Sequence, residues 1–153
     1  MISFLLGGEL MKYVMVYWSR FTHNKQIVEY LDEKLTDDGH EVNVFKTDEV
    51  DPTDLPDADV YVFSAAAEAF RVQKNMRVFM KRIEGLDGKK FAIINTHAMK
   101  KKSWLKGMNR ILSKKGMVII AEVDFRIGDG QQNGEGLIDG WQLKLDGFLE
   151  KIT

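Results

Sequence analysis

Uninterrupted apolar runs alternate along this chain with stretches whose apolar residues recur every three or four positions. That alternation leaves few possible architectures. Tyr13–Trp18 (YVMVYW) is a continuous run, as expected of a strand covered on both faces. Ile27, Val28, Leu31 and Leu35 follow at helical spacing, and Gly39 stands where a helix-ending glycine belongs. Val42–Phe45 is a shorter, alternating strand suited to a sheet edge. Thr47–Asp59 holds two Pro and six acids and cannot support a long helix. Val60–Ala67 (VYVFSAAA) is the third strand, and Met76, Phe79, Met80 and Ile83 mark an amphipathic helix. Phe91–Ile94 is the fourth strand, followed by a helix that turns Trp104, Leu105, Met108, Ile111 and Leu112 inward. Val118–Phe125 is the fifth strand. Trp141, Leu145, Phe148 and Ile152 stripe the last helix.

Five strands alternating with helices describe an α/β domain: one parallel sheet, doubly wound, with helices on both faces. Right-handed crossovers favour the strand order 2-1-3-4-5. Ligands of such sheets lie beyond the carboxyl ends of the strands, which nominates three loops, Ser19–Lys25, Ser64–Val72 and Thr96–Ser103. With 153 residues and no internal repeat, a single domain over 11–153 is expected. Residues 1–10 (MISFLLGGEL) read as an extension, with Met11 as the expected natural start. Their apolar run lacks preceding basic residues and falls short of the roughly 20 needed to span a membrane, so a cytoplasmic protein is expected.

Composition removes several chemistries. The chain has no Cys, which excludes disulfides and thiolate catalysis, and its three His form no H-E-x-x-H motif. Lys and Arg number 22 against 23 Asp and Glu, an unlikely balance for a nucleic-acid binder. There is no G-K-[ST] phosphate loop and no G-x-S-x-G elbow. A phosphoacceptor receiver would need acids after the first strand, an Asp ending the third and a Lys ending the fifth. Trp18-Ser19, Phe63-Ser64 and Asp124-Phe125-Arg126 stand there instead. Gly128–Gly136 (GDGQQNGEG) reads as a flexible loop bordering the site, and a phosphate cradle is not expected there.

The first nominated loop runs from a buried strand straight into a helix, whose N-terminal amides and dipole suit an anion. Thr22 or Asn24 could equally serve as a helix cap. The segment Y-W-S-R-F-T-H-N-K-Q-I resembles the phosphate loop of the flavodoxin family, an aromatic-S-x-T-G-N-T motif that precedes a helix. Ser19 matches the first serine, and Ile27 the first buried helix residue. Phe21, Thr22, His23 and Asn24 replace the family's Thr, Gly, Asn and Thr. S-A-A-A-E-A-F, leading to a helix that ends F-M-K-R-I, resembles the segment flanking the flavin. The resemblance implies a flavodoxin-like fold, noncovalent FMN and single-electron transfer, with the phosphate held by Ser19, Arg20, Phe21, Thr22, His23 and Asn24. It places the ring against Ser64, Ala65, Ala66, Ala67, Glu68, Ala69 and Phe70, and against Thr96, His97, Ala98, Met99 and Trp104. No catalytic acid, base or nucleophile is implied.

Charge is unevenly placed. Residues 29–59 hold 12 acids and 2 bases, whereas residues 71–115 hold 14 bases and 2 acids. Two readings follow. In one, cations that include Lys100, Lys101 and Lys102 surround a bound flavin, make its second reduction less unfavourable than is usual in the family, and steer an acidic redox partner such as a ferredoxin or an oxidoreductase. In the other, the chain is a non-catalytic interaction module, flavodoxin-like or receiver-like, that binds no flavin.

Overall fold

Pairing of the apolar runs builds one sheet. The computed structural model describes residues 9–18, 23–68, 71–97, 103–127 and 140–153, with backbone alone at 68, 71 and 72. In chain order the elements are β1 (Lys12–Tyr17), α1 (His23–Asp37), β2 (Glu41–Lys46), β3 (Val60–Glu68), β4 (Arg71–Val72), α2 (Lys74–Lys81), β5 (Lys90–His97), α3 (Leu105–Ser113), β6 (Val118–Arg126) and α4 (Trp141–Ile152). Five strands pair in parallel in the order β2-β1-β3-β5-β6. This is the expected 2-1-3-4-5 winding. The two-residue β4 folds back antiparallel on the end of β3, with Ala67 opposite Val72, and has no counterpart in the periodicity.

Strand alternation sorts the core into two layers. Tyr13, Met15, Val60, Val62, Ala92 and Ile94 face α1 and α4, meeting Ile27, Leu31, Leu35, Leu145 and Phe148. Val14, Val16, Tyr61, Phe63, Phe91 and Ile93 face α2 and α3, meeting Met76, Phe79, Met80, Met108 and Leu112. The helix-ending role of Gly39 is realised at φ 92°. The N–H of Gly39 donates to the Thr36 carbonyl and that of His40 to the Leu35 carbonyl, closing the last turn of α1.

Two strands outrun their apolar sequence. β3 continues past Ala67 to Glu68 and β5 past Ile94 to His97, so Thr96 and His97 belong to a strand rather than to the nominated loop. Ser64, which the sequence pattern put both in the third strand and at the start of a loop, lies within the strand. The ladder persists because these polar side chains find partners inside the structure. A second irregularity lies between β5 and β6. The register steps from Phe91↔Ile119 to Ala92↔Ala121, leaving Ile120 as an extra residue. This bulge reverses which side chains of β6 face which layer.

The Tyr13 hydroxyl donates to the Ile152 carbonyl at 2.7 Å, tying the first strand to the last helical turn. Desolvation raises the Tyr13, Tyr17 and Tyr61 phenols above their ordinary value. The hydrogen bond to Asp146 pushes Tyr30 up to about 12. The folded chain therefore holds these protons more tightly than the unfolded chain. The resulting stability is present below the ordinary phenol value of 10.0 and is lost as pH rises through the native values. Phenolate absorption in the native protein should develop only above that value, and alongside loss of the helical circular dichroism signal. A separate test concerns packing. Leu31 is fully buried and Leu143 is 77% exposed, so Leu31→Ala should cost about 3 kcal/mol in urea unfolding. Leu143→Ala should change stability by less than about 0.5 kcal/mol.

Candidate functional site

Each helix that returns from the carboxyl edge of β1, β3 or β5 is held there by one buried carboxamide. On the α1 side, Ser64 and Thr96 lie on adjacent strands and point to the same layer. The Asn24 carboxamide reaches both from the first turn of α1. The Ser64 hydroxyl donates to Asn24 Oδ1 at 2.7 Å, and Asn24 Nδ2 donates to Thr96 Oγ1 at 3.1 Å. On the α2 side, the Ala66 N–H donates to Gln73 Oε1 at 3.0 Å while the Gln73 N–H donates to the Ala66 carbonyl at 2.8 Å. This seals the β3–β4 turn just before α2. On the α3 side, Asn95 Nδ2 donates to the Ala65 carbonyl and the Trp104 N–H donates to Asn95 Oδ1, both at 2.9 Å. A carboxamide offers an acceptor and a donor on separate atoms of one uncharged side-chain end, so it can bridge two groups. Asn24, Gln73 and Asn95 are each at most 2% exposed.

At the β5–β6 edge, His97 Nε2 lies 2.7 Å from Asp124 Oδ2. Lys144 of α4 donates to the Asp124 carbonyl, with its Nζ 3.9 Å from Asp124 Oδ1 and 5.0 Å from the Phe125 ring centre. The bulge at Ile120 makes this pairing possible. Without the extra residue Asp124 would stand opposite Thr96, on the other layer from His97.

The structure brings Asn24, Ser64 and Thr96 together, hydrogen-bonded to one another. Their role is to position the start of α1 over the sheet. His23 opens α1 and is 5% exposed. Ala65 is buried, and Ala66 and Ala67 are half-buried at the end of β3. The Trp104 indole lies over Gly107 of its own helix, where an added Cβ would stand 2.4 Å from the ring. Ser19, Arg20, Phe21, Thr22, Ala69, Phe70, Ala98 and Met99 lie outside the described residues, as does the side chain of Glu68 and the loop 128–136. Sequence reasoning missed Gln73, Asn95, Asp124 and Lys144. A signal existed for Asn24 and Asn95: the first extends the buried stripe of Ile27, Leu31 and Leu35, and the second shares strand parity with Phe91 and Ile93. None existed for Asp124, because the bulge breaks parity. Among the described residues no cluster of three His, Asp or Glu could hold a metal, and no helix is long and apolar enough to cross a membrane.

No protein-family model and no curated protein matches the sequence. Solved structures do. The flavodoxin of Streptococcus pneumoniae TIGR4 superposes with a TM-score of 0.72 at 16% identity, covering 92% of this chain and 97% of that one. Flavodoxin 1 of Bacillus cereus gives 0.69 at 16% identity, over 93% and 99%. The chain has the flavodoxin-like fold. Rubredoxin oxygen:oxidoreductase of Desulfovibrio gigas gives 0.74 at 15% identity over 92% of this chain, but over only 35% of its own length. In this chain, the edge of the flavodoxin-like sheet is set by the carboxamide ties. Asn24→Ala leaves two buried hydroxyls unpartnered and should destabilise the protein by about 2–3 kcal/mol. Combined with Ser64→Ala, the losses should fall short of additivity by more than about 0.5 kcal/mol in a double-mutant cycle read by urea unfolding.

Proposed function

We propose that this chain binds FMN noncovalently at the carboxyl edge of the sheet and acts in electron transfer. When bound, the isoalloxazine supplies the redox chemistry, and the protein supplies binding and electrostatics. The observation that carries the reading is the fixed start of α1. Through Asn24 it is held against β3 and β5, five residues after Trp18 and beyond the carboxyl end of β1. N-terminal helix amides so placed suit a phosphate. Ala66 and Ala67, half-buried at the end of β3, present small side chains there, as a planar ring seated beside the strand would require.

Ser19, Arg20, Phe21, Thr22 and His23 would hold the phosphate end, with Asn24 positioning the helix beneath. Ala66, Ala67, Glu68, Ala69, Phe70, Ala98 and Met99 would flank the ring. Asn95 and Gln73 hold the two ring-flanking segments where they rejoin the fold. His97, paired to Asp124, and Trp104 border the same edge. The structural resemblance to flavodoxins supports this reading through the fold, and the loop sequence supports it through Ser19. A soluble, cytoplasmic setting is proposed with it.

Titration of the protein with FMN should produce saturable binding with a perturbed flavin spectrum. Arg20→Ala should weaken FMN binding by about 1.5–3 kcal/mol, roughly 10- to 150-fold, the range of a charge-assisted hydrogen bond. Riboflavin, which lacks the phosphate, should lose almost nothing. Equal losses for both ligands would remove Arg20 from the phosphate site. A protein that leaves excess FMN unperturbed would instead be a non-catalytic interaction module on this fold.

A further inference from the structure

The face of the molecule formed by α2 and α3 is cationic and holds no acid on either helix. The two helices pack side by side over one layer of the core. Lys74, Lys81 and Arg82 on and after α2 are exposed, as are Lys106, Arg110 and Lys114 on and after α3. None of the six forms a salt bridge among the described residues. Val78 lies among them at 43% exposure, one turn from both Lys74 and Arg82. Beside it a cleft of about 340 Å³ is lined by Pro52, Val78 and Phe79, with Lys74, Arg82 and Asp48. The acids lie off these two helices. Glu29, Glu33 and Asp37 are exposed on α1, which packs on the opposite layer, and six more stand in the segment between β2 and β3, which borders α2 at the cleft.

We infer that the α2–α3 face is a docking surface for an acidic protein, which seats an apolar side chain beside Val78 and surrounds it with carboxylates. Charge complementarity selects the partner's sign. Extent selects its class. A compact protein patch covers about 800 Å² and stays on the two helices. An extended polyanion such as nucleic acid would run along the acidic segment that borders α2 and be repelled. Both helices start at the carboxyl edge, so a partner seated on their first turns lies next to the site proposed for FMN. The use of this surface in electron transfer rests on that proposal. The surface itself does not.

The probe is a fluorescently labelled, acidic plant-type ferredoxin, titrated with the full-length chain and read by anisotropy. Two variants of equal net charge are compared. One carries Lys74→Glu, Arg82→Glu, Lys106→Glu and Arg110→Glu; the other carries Lys12→Glu, Lys34→Glu, Lys46→Glu and Lys151→Glu. All eight side chains are exposed, and circular dichroism verifies folding. The patch variant should bind at least about tenfold more weakly than its charge-matched control. That difference should vanish near 0.5 M salt, where screening shortens to a few ångström (about 3–5 Å). Val78→Ala should weaken binding and leave its salt dependence intact. Equal affinities of the two variants would overturn the proposal, as would tighter binding of a short labelled DNA duplex than of ferredoxin. FMN titrations of the parent and both variants separate the two proposals. If no flavin binds while the patch variant still loses ferredoxin, the electron-transfer reading fails and the docking surface stands.

Discussion

Everything at the carboxyl edge of the sheet depends on polar groups that are buried and yet satisfied. A buried carboxamide without partners would cost about 1–3 kcal/mol for each group left unpaired. Asn24, Gln73 and Asn95 avoid that cost by meeting hydroxyls and backbone groups from a neighbouring strand or turn. In doing so they set where α1, α2 and α3 begin. Those three starts surround the edge at which a doubly wound sheet takes its ligand. Apolar packing alone would hold the helices on the sheet without fixing them along their axes.

The same logic explains why β3 and β5 extend into polar sequence. Ser64 and Thr96 would end a strand if their hydroxyls needed water. Asn24 replaces that water, so the ladder continues through Ala66↔Thr96. At the far edge a single inserted residue, Ile120, has a comparable effect. It places Asp124 on the His97 face, where the carboxylate meets the imidazole, and Lys144 of α4 reaches the Asp124 carbonyl and its other carboxylate oxygen. A bulge at a strand end re-aims side chains without altering the fold around it.

Charge in this molecule is organised by element. α1 and the segment after β2 are acidic, while α2 and α3 are basic, and the whole chain carries a formal charge of −1. Net charge therefore says little about how the surface is seen by a partner. A flavin seated between these fields would lie near the starts of two cationic helices, and any partner would meet a strongly polar molecule.

By itself, the sequence determined the layers. Continuous apolar runs demanded strands buried on both faces, helical stripes demanded covering helices, and their alternation left essentially one winding. Gly39 and the acidic, proline-containing Thr47–Asp59 marked their breaks just as clearly, since backbone preference is local and needs no partner. The stripe through Ile27 and Leu31 already contained Asn24, and the parity of Phe91 and Ile93 already contained Asn95. What those amides would touch was not legible, because hydrogen-bond partners 72 and 30 residues away are chosen only when strands pair. The length of β5, the β4 turn and the His97–Asp124 pair were decided by the tertiary structure. Polar strand ends survive only against specific partners, and a bulge in one strand exists only relative to the register of another.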